Sequence, residues 1–174
     1  SKEPDLLEIM QDILEDIGEI KNMTLGKELH RWIFRYDPSA MNIKVEVNKR
    51  PLDSNTYERK SIENTQVYCM SQSSMVANKI VALYERAYPR DLFDVYYFLA
   101  QDFPCDNAVI ELRSGKSLHE LIWELQEIIP RYFLPNTVLI GLGELLTDTQ
   151  KLRVKKHLVT ETLALLDQYL QKNK

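Results

Sequence analysis

Residues 75–99, "MVANKIVALYERAYPRDLFDVYYFL", decide how this chain is read. The segment is mostly apolar and helical in pattern, yet it carries Lys79, Arg86, Arg90, Asp91 and Asp94. At about 100° per residue, Val76, Ile80, Leu83, Tyr84 and Ala87 fall on one face. Lys79 and Arg86 lie two turns apart on an edge of that face, a cationic stripe at the border of the core. Arg90 would continue the stripe if Pro89 did not break the helix. Asp91 and Asp94, spaced i, i+3, share a side of the next helix with Phe98. Leu83, Tyr84, Val95 and Phe98 are expected to be buried, and Lys79 and Asp94 to face one cleft. The bland alternative is a structural network: Asp91 suits a helix N-terminus, and Arg86 or Arg90 pairs with Asp94.

Outward from this segment, the chain reads as helix from Ser71 onward, with Ser73 or Ser74 as cap and a second helix starting near Asp91. "SLHELIWELQEII" (117–129) opens with a capping-box pattern, Ser117 to Glu120, and stops at Pro130. "TDTQKLRVKKHLVTETLALLDQYLQ" (147–171) is a long last helix with a basic first half. Upstream, Ser1 and Pro4 open a helix in which Leu6, Ile9, Met10, Ile13, Leu14 and Ile17 form an amphipathic stripe that ends near Gly18. Trp32, Phe34 and Tyr36 alternate with Ile33 and Arg35, and Ile43, Val45 and Val47 alternate with Lys44, Glu46 and Asn48. With the turn chemistry of "DPSAM" (37–41) between them, these are two antiparallel strands. "TQVYCM" (65–70) is a third strand, and the polar "RPLDSNTYERKSIEN" (50–64) reads as a surface loop. The fold class is therefore α+β. A small β-containing part, 1–70, precedes an α-helical part, 71–174.

Composition sets bounds. The 174 residues are 44% hydrophobic and 28% charged, an ordinary globular balance with room for one core or two small ones. The net charge of −4 excludes a generic basic nucleic-acid coat, so any nucleic-acid contact is local. Cys69 and Cys105 are far apart and lack metal-type spacing, and a reducing cytoplasm is the expected location. No apolar run is long enough to span a membrane, and the acidic N-terminus is unlike a signal peptide. His30, His119 and His157 are scattered, and nothing supports a Cys–His nucleophile pair. "KLRVKKHL" (151–158) suits a solvated helix face better than an RNA contact, and "VYYFL" (95–99) suits core better than a base-stacking platform.

The quoted segment resembles the motif of the nucleotidyl transferase AbiEii/AbiGii toxin family, roughly A-x-K-x-x-A-L-x-x-R-x-x-x-R-D-x-x-D. Ala77, Lys79, Ala82, Leu83, Arg86, Arg90, Asp91 and Asp94 fill every place. The preceding "NIKVEVNKR" (42–50) is similar to the strand before this motif, and the order of elements fits over most of the chain. The resemblance implies the rear part of a nucleotidyltransferase-like domain followed by a helical bundle. It implies a toxin of a bacterial toxin–antitoxin or abortive-infection pair. Such a toxin transfers a nucleotide from a nucleoside triphosphate, with Mg2+, to an RNA (such as tRNA) or protein acceptor, and has a cognate antitoxin protein. Matched to the motif, Lys79 contacts the triphosphate, and Asp94 positions Lys79 or the acceptor. Arg86, Arg90 and Asp91 support them. Glu46 stands as a candidate metal-binding carboxylate or, equally, a solvated strand residue. Lys44 and Arg50 either add to a positive cleft or are solvated.

The family's earlier motif, a Gly-Ser loop followed by Asp-x-Asp, is missing from the sequence. Either a longer transferase carries it upstream, or this is a derivative that lost the metal site. On both accounts these residues alone are not expected to catalyse transfer. The alternative function is a non-catalytic interaction module that keeps the fold.

Overall fold

The computed structural model describes residues 6–48, 54–142 and 144–172. The expected helix-start residues Ser1 and Pro4, and Arg50, lie outside them. The chain divides into two compact units, 1–53 and 54–174. The division falls ahead of the boundary near residue 70 that composition suggests: a β-hairpin made of residues 57–70 belongs to the second unit.

In the first unit, helix α1 (Leu6–Ile17) leads into strands β1 (Glu19–Leu25), β2 (Leu29–Arg35) and β3 (Ile43–Asn48). These form an antiparallel sheet in the order β1-β2-β3, with Trp32 opposite Met23 and Val45. Alternation on β2 puts Trp32 and Phe34 into a small core with Leu14, supported by Leu7, Met10, Ile20, Val45 and Val47. The α1 stripe is only half used, since Ile9, Ile13 and Ile17 remain exposed. Gly18 is required at the turn: a Cβ there would come within 2.8 Å of the Phe34 ring. Strand β1 has no counterpart in the sequence reading. Six of its seven residues are exposed and a bulge interrupts its pairing near Lys21, so it shows no clean alternation.

The second unit begins with a β-hairpin. Part of the expected loop is strand β4 (Tyr57–Ile62), paired with β5 (Thr65–Met70). Every β4 residue is exposed, so no burial pattern marks it. Its turn, Glu63 and Asn64, has φ of 46° and 70°, the left-handed pair that matches hairpin twist. Helices α2 (Gln72–Arg86), α3 (Pro89–Ala100), α4 (Asn107–Ser114), α5 (Leu118–Tyr132) and α6 (Asp148–Lys172) follow.

Several helix ends differ from expectation. The α2 cap is Ser71, whose hydroxyl accepts from Ser74 N–H at 3.2 Å, in place of Ser73 or Ser74. Pro89 occupies the first turn of α3, where its missing N–H costs nothing, so α3 starts two residues before Asp91. The Ser117/Glu120 capping box is present, but α5 runs through Pro130 to Tyr132. Helix α4 is set off by the Asp106 cap and by Gly115 at φ 69°. The core joins Val76, Ile80, Val81 and Leu83 of α2 to Leu92 and Val95 of α3, Leu121, Ile122 and Leu125 of α5, and Leu158 and Leu166 of α6. Leu83 and Val95 are buried as expected, whereas Tyr84 and Phe98 are only partly so.

Candidate active site

Helix α2 ends at Ala87 in the left-handed conformation (φ 44°), its N–H bonded to Leu83 O at 2.9 Å. Tyr88 is extended, and α3 begins at once. So tight a connection folds α3 back along α2, and the ion pairs record the antiparallel register: Arg86 meets Asp91, and Lys79 meets Asp94.

Asp91 is the centre of the arrangement. Its side chain is 1% exposed. Oδ2 accepts from Arg86 Nε at 2.6 Å, and Oδ1 accepts from Arg86 Nη2 at 2.8 Å and from Lys79 Nζ at 3.2 Å. Burial alone would push this carboxyl up, but the hydrogen bonds and charge of Arg86, then Lys79, outweigh it and hold Asp91 below its ordinary range. Lys79 Nζ also stands 2.6 Å from Asp94 Oδ2, with both side chains about 30% exposed. The result is an alternating row, Arg86–Asp91–Lys79–Asp94, buried at Asp91 and open at Lys79 and Asp94. An ammonium has three N–H donors. Here it gives one hydrogen bond to Asp91 and an ion pair to Asp94, leaving capacity for an incoming oxygen.

The structure therefore brings together four of the sequence-predicted residues. Of the two open pairings for Asp94, neither forms: Arg86 goes to Asp91, and Lys79 takes Asp94. Arg90 is exposed and has no ion pair among the described residues; it lines a cavity of about 460 Å³ with Leu139, Gly141, Glu144 and Leu145. Glu46 lies in the first unit, where it accepts from Arg31 Nε at 2.7 Å and pairs with Lys44 at 3.3 Å. Burial pushes the Cys105 thiol up to about 12, so it stays protonated at neutral pH and is no nucleophile. In the basic run of α6, Lys151 pairs with Asp148 and Arg153 with Glu161.

The family model for the nucleotidyl transferase AbiEii toxin of type IV toxin–antitoxin systems matches residues 5–160. The chain belongs to this family. No curated protein and no solved structure matches it. An AbiEii member is a nucleotidyltransferase toxin of a toxin–antitoxin system, which uses a nucleoside triphosphate and a divalent cation and has an antitoxin counterpart. No helix among the described residues is long and apolar enough to cross a membrane.

The cation can be tested against the carboxylates present. No group of three or more His, Cys, Asp or Glu side chains converges on a metal position among the described residues. Both Asp91 oxygens are taken by Arg86 and Lys79, Asp94 faces Lys79, and Glu46 is committed to Arg31 and Lys44. These carboxylates do not fit a divalent cation.

Sequence reasoning also passed over Asn78, which joins α2 to α4 and to Asn55, two residues before β4. The signal was a poorly helix-forming, polar Asn in mid-helix beside the motif lysine.

Proposed function

We propose that this chain provides the triphosphate-contacting part of a nucleotidyltransferase toxin. Lys79 offers its ammonium to the triphosphate, Asp94 orients Lys79 or the acceptor, and Asp91 and Arg86 hold the lysine in place. Arg90 adds a cation at the start of α3. In such a transfer an acceptor nucleophile bonds to the α-phosphorus, the bond to the bridging oxygen breaks, and pyrophosphate leaves. A fixed cation offsets charge that builds on the phosphate oxygens, and losing one such group typically costs about 10²–10³ in rate. RNA, tRNA included, or a protein serves as acceptor in this reading. The antitoxin counterpart is a separate protein, and the setting is the bacterial cytoplasm, where such toxins act in abortive infection. The observation that carries the proposal is the partly open ammonium of Lys79, fixed at 3.2 Å from a carboxylate that Arg86 clamps from the other side.

A second reading rests on the same row, whose two cations and two anions satisfy one another. A non-catalytic module that kept the fold would need nothing more. Growth inhibition paired with thermal melts separates the two. In the full-length protein, Lys79→Ala should abolish toxicity with little change in melting, because Asp91 keeps its bidentate Arg86 partner. Asp94→Asn should behave alike. Variants that melt several degrees early while the soluble protein still inhibits growth would assign the row to scaffold.

A further inference from the structure

Asn78 immediately precedes Lys79, and its side chain is fully engaged. Oδ1 accepts from Arg113 Nη1 at 2.7 Å, while Nδ2 donates to Asn55 Oδ1 and to Ser74 O, each at 2.7 Å. A guanidinium only donates, so the Asn78 atom facing Arg113 must be the oxygen, which fixes the amide's orientation. Arg113 also reaches Glu85 Oε2 at 3.1 Å. At the other end of α4, Asp106 caps that helix and accepts from Ser74 Oγ at 3.3 Å. Helix α4 is thus fastened alongside α2 at both its ends.

On α2, Ser74, Asn78 and Glu85 form one strip, and Lys79 and Arg86 form another about a quarter-turn round. The rest of α2 is held by Val76, Ile80, Val81 and Leu83, all buried. Apolar packing is non-directional and fixes the helix only through the shape of its buried side chains. The contacts of Lys79 to Asp91 and Asp94 do not tolerate a small rotation of the helix, since a shift of about 1 Å takes a hydrogen bond out of range. Directional side-chain bonds of Ser74, Asn78, Glu85 and Arg86 all oppose such a rotation, and those of Asn78 do so at the residue next to Lys79. We propose that Asn78, locked by Arg113, is a positioning residue: it sets the rotation of α2 that delivers the Lys79 ammonium between Asp91 and Asp94. Its functional meaning rests on reading Lys79 as the phosphate-contacting cation, but its structural content does not.

The test is nitrogen-detected NMR of the lysine ammoniums in the full-length protein, with backbone amide spectra as the measure of folding and growth inhibition alongside. In the wild type the Lys79 ammonium should give a slowly exchanging signal, because two carboxylates hold it. Asn78→Ala and Arg113→Gln should lose that signal and weaken growth inhibition while the core amide spectrum persists. Arg113→Lys, which keeps a cationic donor for Asn78, should restore the signal. Glu85→Gln, which leaves the Arg113–Asn78 bond intact, should keep it. An unchanged Lys79 signal in folded Arg113→Gln or Asn78→Ala overturns the proposal. So does equal loss in Glu85→Gln, which would mean that any loosening of α2 suffices. If Arg113→Gln does not fold, Asn78→Ala decides by the same criterion. Persistent growth inhibition by Lys79→Ala would instead sink the transferase role of Lys79, whatever the NMR outcome.

Discussion

Two carboxylates in this chain have nearly the same partners in opposite settings. Glu46 on the sheet receives an arginine Nε at 2.7 Å and a lysine ammonium at 3.3 Å. Asp91 between α2 and α3 receives an arginine Nε at 2.6 Å and a lysine ammonium at 3.2 Å. Both carboxyls are held below their ordinary range: Glu46 first by its hydrogen bond from Arg31, Asp91 by Arg86 and Lys79 against an opposing push from burial. What differs is solvent. The Glu46 side chain is 31% exposed and that of Asp91 is 1%. Water can replace any partner Glu46 loses, whereas Asp91 has only its protein partners. Matching contacts therefore carry unequal weight, and only the buried cluster can fix a neighbour such as Lys79 in a single place.

The comparison breaks most readily at Asp91. Asp91→Ala leaves Arg86 and Lys79 without their shared anion and should cost about 3–5 kcal/mol, read as a large drop in melting temperature. If the melt is unaffected, the buried cluster is no stronger than the exposed one. Next in size is Leu83→Ala on the same helix, about 2–5 kcal/mol by chemical denaturation, since Leu83 is fully buried. This calibrates what α2 contributes through packing alone.

A pH titration sharpens the contrast. The folded-state pKa of Asp91 is below its ordinary 3.8, so its stabilisation is fully present above that value. Between the two values the unfolded chain binds more protons, and the stabilisation is lost as pH falls through the folded pKa. Denaturation followed from pH 5 downward should show this loss in the wild type, and Asp91→Asn should lack that part of the slope. A wild-type slope that survives in Asp91→Asn would assign the acid sensitivity to other carboxylates. The smallest effect is expected for Glu46→Gln, whose melting temperature should match the wild type and respond no differently to added salt. A clear loss there would show that the sheet cluster is more than a surface pairing.

Much of the fold was legible where burial is one-sided. The β2–β3 pairing follows from alternation around Trp32 and Val45, and the α5 start from Ser117 and Glu120. Strands β1 and β4 were not legible. Their residues are almost wholly exposed, and they owe their form to ladder bonds with β2 and β5 rather than to any pattern of their own. The Ile9, Ile13 and Ile17 stripe shows the reverse failure: periodicity announces an apolar face but not whether anything in this chain covers it.

For the charged row, the sequence by itself supplied Lys79, Arg86, Asp91 and Asp94 and their spacing along two consecutive helices, but not that Arg90 and Glu46 stay outside it. Pro89, the i, i+3 aspartates and the two-turn separation of Lys79 from Arg86 are properties of the chain. The partners were decided only by the tertiary structure. Whether Asp94 met Arg86, Arg90 or Lys79 depended on how tightly Ala87 and Tyr88 turn the chain, and that register gave Arg86 to Asp91 and Lys79 to Asp94. The same holds for Asn78 and Arg113, thirty-five residues apart and joined at 2.7 Å. Helical periodicity fixes where a side chain lies around its own axis. Which charge it meets depends on the packing of a second helix, and no local pattern encodes that packing.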